Sequence, residues 1–487
     1  MNPVNLNSQG VIQTDICVIG AGSGGLSVAA GAVQMGASVV LIEKAKMGGD
    51  CLNTGCVPSK ALLAAGHVAQ TMRDASAFGI ETVEPNVDWA KVHGHIHDVI
   101  AQIEPNDSVD RFEGLGVNVI QAAAKFVDEH TVKAGDKTIK AKYFVVATGS
   151  SAFVPPIDGV NDVAYFTNEN IFNNTSPIEH LIVIGGGPIG MEMAQAHRRL
   201  GAKVTVIEVM KLLAKDDPDL TSVVLKHLSK EGIRFHEGVN NLRFEQHENG
   251  IHAFFDEDDG SGTKVCDIHG SHLLIATGRK ANVNGLNLEA ANVTYSPRGI
   301  EVDKRLRSSN KKIFAIGDVA GPYQFTHMAA YQAGIIIRNI LFKMPAKVDY
   351  SAVPWVTYTD PELAHVGLTE ADAKSQGKEV RILKWAFTEN DRAQAEQRTE
   401  GLVKVVVTPK GLVLGASIVG LHAGELIQPW ILAISQKMKI GAMASAIAPY
   451  PTLAEVNKRI AGSFYTDKLF SAGTKRIVRF LMRWFSF

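Results

Sequence analysis

Cysteine is scarce: four in 487 residues, too few for the disulfide framework that holds small secreted domains together. Net charge is almost absent. Lys plus Arg (49) nearly balances Asp plus Glu (50), so no global field draws the chain to nucleic acid or to an anionic surface. No apolar run reaches the eighteen or more residues of a membrane span. The opening "MNPVNLNSQGVIQTD" lacks the basic start and apolar stretch of a secretory signal, so a cytoplasmic, reducing compartment is expected. What remains is an ordinary globular composition, 46% hydrophobic and 20% charged, in a chain long enough for several domains.

Against that scarcity, two cysteines fall within the six residues "CLNTGC", Cys51 and Cys56. In a reducing compartment such a pair is catalytic or metal-binding more often than structural. A zinc site would need two more ligands, and the other cysteines, Cys17 and Cys266, have no C-x-x-C or C-x-x-H spacing. Both therefore read as structural, and no metal is expected.

The run "DICVIG" suits a buried parallel strand, and it leads into Gly20, Gly22 and Gly25 in G-x-G-x-x-G spacing. A helical stretch and a second strand ending at Glu43 follow. The glycines permit the tight turn, the approach of a pyrophosphate and close helix–strand packing, and the acid accepts from a ribose. The pattern recurs at Gly185, Gly187 and Gly190, with Glu208 closing the next strand. Two fingerprints imply two dinucleotides, a flavin and a nicotinamide. Glu208 favours NAD(H), since its carboxylate would repel a 2′-phosphate; Lys211 is the nearby cation for NADP. Two apolar strands run into A-T-G at 147–149 and 276–278, making Thr148, Gly149 and Gly278 candidate cofactor contacts. Asp318 ends a further strand, "KIFAIGD", where open α/β sheets bind ligands.

Taken in order, "GGDCLNTGCVPSK", both fingerprints, both A-T-G strands, "IFAIGDVAG" and "TYTDPELAHVGLTEADA" resemble the FAD-dependent pyridine nucleotide–disulfide oxidoreductases over residues 12–465. That family includes dihydrolipoamide dehydrogenase, glutathione reductase and mercuric reductase. The resemblance implies an α/β chain with two Rossmann-like domains, the NAD domain inserted in the FAD domain, and a C-terminal α+β dimerisation domain. The expected boundaries are 1–155 with 276–345 for FAD, 156–275 for NAD, 346–465 for dimerisation and 466–487 for a tail. It also implies FAD and NAD(H) as cofactors, and a homodimer that shares its active site between subunits and reduces a disulfide or another small acceptor. Cys51 and Cys56 would alternate between disulfide and dithiol, with Cys56 facing the flavin and Cys51 meeting the substrate. Lys60 would pair with Glu192 beside the flavin, and Asp318 would hold the ribityl chain.

Three departures stand out. "APYPTLAE" carries Tyr450 where disulfide-reducing relatives place a proton-transferring His, while Glu455 keeps the acid. Tyrosine, titrating near ~10, is a poor base at neutral pH. Asp50 precedes Cys51 where relatives usually have Thr, and its charge opposes a neighbouring thiolate. The tail "TKRIVRFLMRWFSF" sets Lys475, Arg476, Arg479 and Arg483 against Ile477, Phe480, Leu481 and Trp484. Such a helix lies on an anionic membrane surface or docks on its own dimer. The leading reading is a dihydrolipoamide dehydrogenase-like flavoenzyme. The alternatives are an NADH dehydrogenase for a quinone at a membrane face, a mercuric reductase-like metal-ion reductase, and a non-catalytic flavoprotein.

Overall fold

The computed structural model describes residues 5–6, 10–248, 250–258, 260 and 262–484. Residues 1–4 and 7–9 of the expected FAD domain, 249, 259 and 261 of the expected NAD domain, and 485–487 of the tail lie outside them. The chain divides into two compact units: residues 1–74, 82–209 and 236–349 in the first, and 75–81, 210–235 and 350–487 in the second.

In the first unit, Ile12–Ile19 sits at the centre of a sheet. It pairs in parallel with Val39–Glu43 on one side and Lys137–Val146 on the other. Asn118–Gln121 and Ile313–Ala315 extend the parallel part at either side. A strand covered on both faces needs continuous rather than alternating apolarity. Ile16, Cys17 and Val18 are accordingly all buried, as are all five residues of Val39–Glu43. Cys17 is packed among Val40, Phe144 and Ile120 in this core, consistent with its structural reading.

The helix Ser23–Gln34 starts three residues before the apolar stretch that suggested it. Its buried face is small: Gly24, Gly25, Val28, Ala29 and Ala32. A Cβ on Gly24 would lie 3.2 Å from the Ala329 methyl, so the glycine admits the helix Thr326–Ile340 at close range.

A second parallel sheet centres on His180–Ile184, flanked by Lys203–Glu208 and His272–Ile275. Beside it, Asn240–His247, Gly250–Asp258 and Thr263–Gly270 form an antiparallel sheet of three strands.

The second unit is built on a five-stranded antiparallel sheet, ordered Pro354–Thr357, Glu362–Gly367, Val413–Gly420, Leu402–Val407 and Arg381–Ala386. Trp430 is fully buried against it, and its indole N–H donates to Asn457 Oδ1 at 2.8 Å. Asn457 in turn donates to the Leu426 carbonyl, so a large buried aromatic keeps its polar atom satisfied. Lys404, 5% exposed, is held by Asp217 (2.7 Å), Glu370 (2.8 Å) and Asp219 (2.9 Å). A buried ammonium needs such partners, and here three carboxylates supply them. Among the described residues no helix is long and apolar enough to cross a membrane.

Candidate functional site

The two glycine turns are built alike. Gly20 has φ +105° and Gly185 φ +108°, both in the left-handed region where a side chain is strained. A Cβ on Gly25 would lie 1.9 Å from the Gly20 carbonyl oxygen, and one on Gly190 would lie 2.0 Å from that of Gly185. Helix and turn thus touch backbone to backbone. At Gly22 and Gly187 nothing lies within 4 Å of the same position, which leaves that face of each turn open.

Each acid closes its own turn. Glu43 Oε2 accepts from Ala21 N at 2.7 Å, and Glu208 Oε2 accepts from Gly186 N at 2.7 Å. Open backbone at the second glycine, a helix N-terminus behind it and an anchored carboxylate fit a dinucleotide at both turns. Next to them, each A-T-G segment is tied to residues that flank the other. Thr148 Oγ1 donates to the Asn282 carbonyl (2.8 Å), Asn282 N to Gly149 O (3.0 Å) and Phe153 N to Gly278 O (3.0 Å).

The cysteine pair spans two helices. Cys51 lies within Gly49–Asn53, and Cys56 is the first residue of Cys56–Asp74. Gly55 between them leaves room for the preceding carboxylate: a Cβ there would lie 2.7 Å from Asp50 Oδ2. Cys56 Sγ sits 3.3 Å from the hydroxyl of Thr326, itself the first residue of a helix. Two helix N-termini therefore meet at one sulfur, which favours its thiolate.

The two thiols move in opposite directions. A hydrogen bond from Cys51, opposed by burial and helped by Thr326 and the charge of Lys60, brings Cys56 down to about 6. The same bond with Cys56, together with burial, pushes Cys51 up. Their surroundings hold one proton on Cys51 and the negative charge on Cys56. Lys60 Nζ lies 2.8 Å from Glu192 Oε2, joining two side chains 132 residues apart. Glu192 is buried, and the ammonium neutralises it while its field reaches Cys56.

Asp50 is compensated by a residue that the sequence reading missed. Arg279, whose side chain is 11% exposed, places Nη2 3.2 Å from Asp50 Oδ2 and Nε 3.8 Å from Asp318 Oδ2. It also donates to Ser150 through Nε (2.7 Å to Oγ) and Nη2 (2.8 Å to the carbonyl). Ser150 Oγ donates to Asp318 Oδ2 at 2.5 Å, and burial raises the Asp318 carboxyl. Thr54 and Asn168 donate to Asp50 Oδ1 at 2.8 and 3.0 Å. Arg279 follows the second A-T-G directly, and that adjacency is the sequence signal for it. A cavity of about 390 Å³ reaches Cys51 and Thr326, with Ser23, Ser27, Val57 and Arg111 also lining it.

Tyr450 and Glu455 belong to the second unit. Tyr450 is 69% exposed, and its hydroxyl donates to Asp391 Oδ2 at 2.9 Å. That bond and the carboxylate charge raise the phenol above its ordinary range, with Glu455 adding to the effect.

Residues 14–333 match the pyridine nucleotide-disulphide oxidoreductase family, and residues 353–461 match its dimerisation domain. The chain belongs to this family. Members bind FAD and NAD(H), and the matched dimerisation domain supports a homodimer. A mercuric reductase of Bacillus cereus is 37% identical over 95% of this chain and 73% of its own. A dihydrolipoyl dehydrogenase of Thermus scotoductus is 34% identical over 91% of this chain and 95% of its own. Among solved structures, the HOCl-induced flavoprotein disulfide reductase RclA of Escherichia coli superposes with a TM-score of 0.81 at 25% identity, covering 92% of this chain and 99% of that one. The α/β architecture and the flavoprotein disulfide oxidoreductase class expected from the resemblance are borne out.

Proposed function

We propose that the chain moves electrons between NAD(H) and a disulfide or dithiol substrate through the Cys51–Cys56 pair, in the manner of a dihydrolipoyl dehydrogenase. The opposite displacement of the two thiols carries this reading: a pair that shares one proton, with its charge on the helix-start sulfur, is set for exchange. Bound FAD supplies the two-electron link between nicotinamide and the sulfurs. Gly20, Gly22, Gly25, Glu43, Thr148, Gly149 and Asp318 would hold it, and Gly185, Gly187, Gly190, Glu208 and Gly278 would serve the nicotinamide dinucleotide.

The sulfur chemistry balances without further reagents. Cys51 attacks the substrate disulfide and its proton passes to the departing sulfur, which leaves as a thiol. The Cys56 thiolate then attacks the Cys51 sulfur, forming the internal disulfide and releasing the second sulfur as a thiolate. Lys60, neutralised by Glu192, steadies the negative charge on Cys56 between these steps. Tyr450 and Glu455 complete a site shared between the two subunits, with the phenol as hydrogen-bond donor rather than base. Anaerobic titration with NADH tests the reading. A long-wavelength thiolate–flavin absorption is expected, kept in Cys51→Ser and lost in Cys56→Ser; unimpaired turnover of Cys56→Ser would overturn it.

A soft metal ion as the oxidant is the second reading, favoured by relatives named mercuric reductase at 33–37% identity. Steady-state NADH oxidation with lipoamide and with Hg(II) in parallel separates the two. Membrane contact, with a quinone as acceptor, is favoured by the helix Ala472–Trp484. Its basic residues Lys475, Arg476, Arg479 and Arg483 and its apolar residues Ile477, Phe480, Leu481 and Trp484 are all exposed. Co-sedimentation with anionic vesicles, expected to fall when residues 474–487 are removed, tests that contact.

A further inference from the structure

The antiparallel sheet of the first unit carries a cluster that the dinucleotide and sulfur chemistry does not use. Gly250–Asp258 pairs with Thr263–Gly270 so that Phe255 faces Cys266 and Glu257 faces Lys264. Phe255 and Glu257, two apart, project from one face of the sheet together with Cys266. His236, in the strand Arg234–Glu237, reaches the same face. Its Nδ1 lies 2.9 Å from Glu257 Oε2, and Cys266 Sγ lies 3.8 Å from that oxygen. The edge of Phe255, 4.9 Å away between ring centres, fixes the plane of the imidazole.

We propose that His236, Glu257 and Cys266 form a binding site for a borderline divalent cation of the zinc class, separate from the Cys51–Cys56 pair. One nitrogen, one carboxylate oxygen and one sulfur all lie within 4.8 Å of one another, the one such group of three among the described residues. Tetrahedral zinc with these donors needs donor–donor separations of about 3.3–3.6 Å. The separations from Glu257 Oε2, 2.9 Å to His236 and 3.8 Å to Cys266, lie on either side of that range, and the remaining pair lies within 4.8 Å, so side-chain rotations of up to about an ångström close the site. The mixed N/O/S set selects zinc-like ions over Mg(II) or Ca(II), which take oxygen alone.

Electrostatics point the same way. Without a cation, the Cys266 sulfur and the Glu257 carboxylate oxygen lie 3.8 Å apart, and binding a dication there would displace the thiol proton. A dication between them takes the thiolate and the carboxylate at once. All three side chains are half-buried, with His236 18% and Glu257 25% exposed, so the pocket is open to entry and to a fourth ligand such as water. Cys266 thereby gains a role beyond the structural one its sequence context suggests.

The test is Zn(II) binding to the FAD-loaded full chain, measured by competition with a chromophoric chelator. Cys51→Ser/Cys56→Ser removes the other thiols able to hold zinc. One Zn(II) is expected to remain on that double variant, with affinity falling by about a hundredfold or more when Cys266→Ser or His236→Gln is added, since losing a ligand costs more than the roughly 10–100-fold loss from an outer-shell partner. In the wild-type holoenzyme, saturating Zn(II) should also protect Cys266 from alkylation, read on its own peptide. Loss of all binding in the double variant overturns the proposal and assigns the metal to the redox pair. Unchanged affinity in Cys266→Ser and His236→Gln overturns it as well, leaving His236–Glu257 as a plain ion pair.

Discussion

Arg279 Nη2 lies 3.2 Å from Asp50 Oδ2, directly before Cys51 in sequence, while Arg279 Nε lies 3.8 Å from Asp318. One guanidinium thus neutralises two carboxylates, one of which raises both redox thiols through its charge. With Arg279→Gln the Asp50 charge acts unopposed, so the Cys56 pKa is expected to rise by about half to one unit, roughly 0.7–1.4 kcal/mol. Asp50→Asn should lower it by a similar amount, and the double variant should fall between. The pH dependence of the thiolate–flavin absorption in the reduced enzyme reads all three. A shift in the same direction for both single variants would sink the argument.

The matched turns give a second prediction. Gly25 and Gly190 have no room for a methyl group, the nearest backbone oxygen lying 1.9 and 2.0 Å from the added carbon. Overpacking of this kind costs about 1–3 kcal/mol or more, a factor of about five to a hundred or more if it falls on binding. Gly25→Ala should therefore lower the flavin-to-protein absorbance ratio at purification. Gly190→Ala should keep its flavin and lose its reduction by NADH. If Gly190→Ala loses flavin and Gly25→Ala does not, the assignment of dinucleotides to turns is reversed.

These turns were legible in the sequence because they are local. Three glycines within six residues, followed by a helix and an acid-terminated strand, specify a backbone path with no long-range partner. The cysteine pair was legible for the same reason. Arg279, Thr326 and Asn168 were not. They reach the pair from segments 112 to 275 residues away, and only strand pairing such as Ser150↔Ala281 brings those chain ends together. Lys60 and Glu192, 132 residues apart, became visible through family resemblance and not from periodicity. The compensation of Asp50 had only the adjacency of Arg279 to the second A-T-G to announce it, because an ion pair between a helix residue and a distant strand leaves no periodic trace.

Tyr450 gives a negative prediction. Its hydroxyl donates to Asp391, and that carboxylate raises a phenol whose ordinary value is already near ~10. The group stays protonated throughout neutral pH, so it contributes no limb to a pH–rate profile between about 6 and 9. Tyr450→Phe should leave the midpoints of that profile in place, although its height can fall with the lost donor. Tyr450→His should introduce a new ionisation near ~6.5. A midpoint displaced in Tyr450→Phe would mean that the phenol itself titrates.

The last prediction concerns acid stability and rests on His197. Its imidazole is 2% exposed, stacked 5.8 Å from Trp89, with Nδ1 donating to the Met193 carbonyl at 2.8 Å. Burial holds its pKa down at about 4, against an ordinary value of 6.5, so the folded protein keeps the ring neutral. The unfolded chain takes up a proton first as pH falls. The stability tied to a neutral His197 is therefore fully present above about 6.5 and is lost on acidification through about 4. A displacement of that size corresponds to about 3 kcal/mol. Calorimetry of the FAD-loaded protein should show the melting temperature falling across this window. The fall should be shallower in His197→Gln, which cannot protonate and still offers a donor to Met193. An equally steep fall in the variant would assign the acid sensitivity to the carboxylates instead.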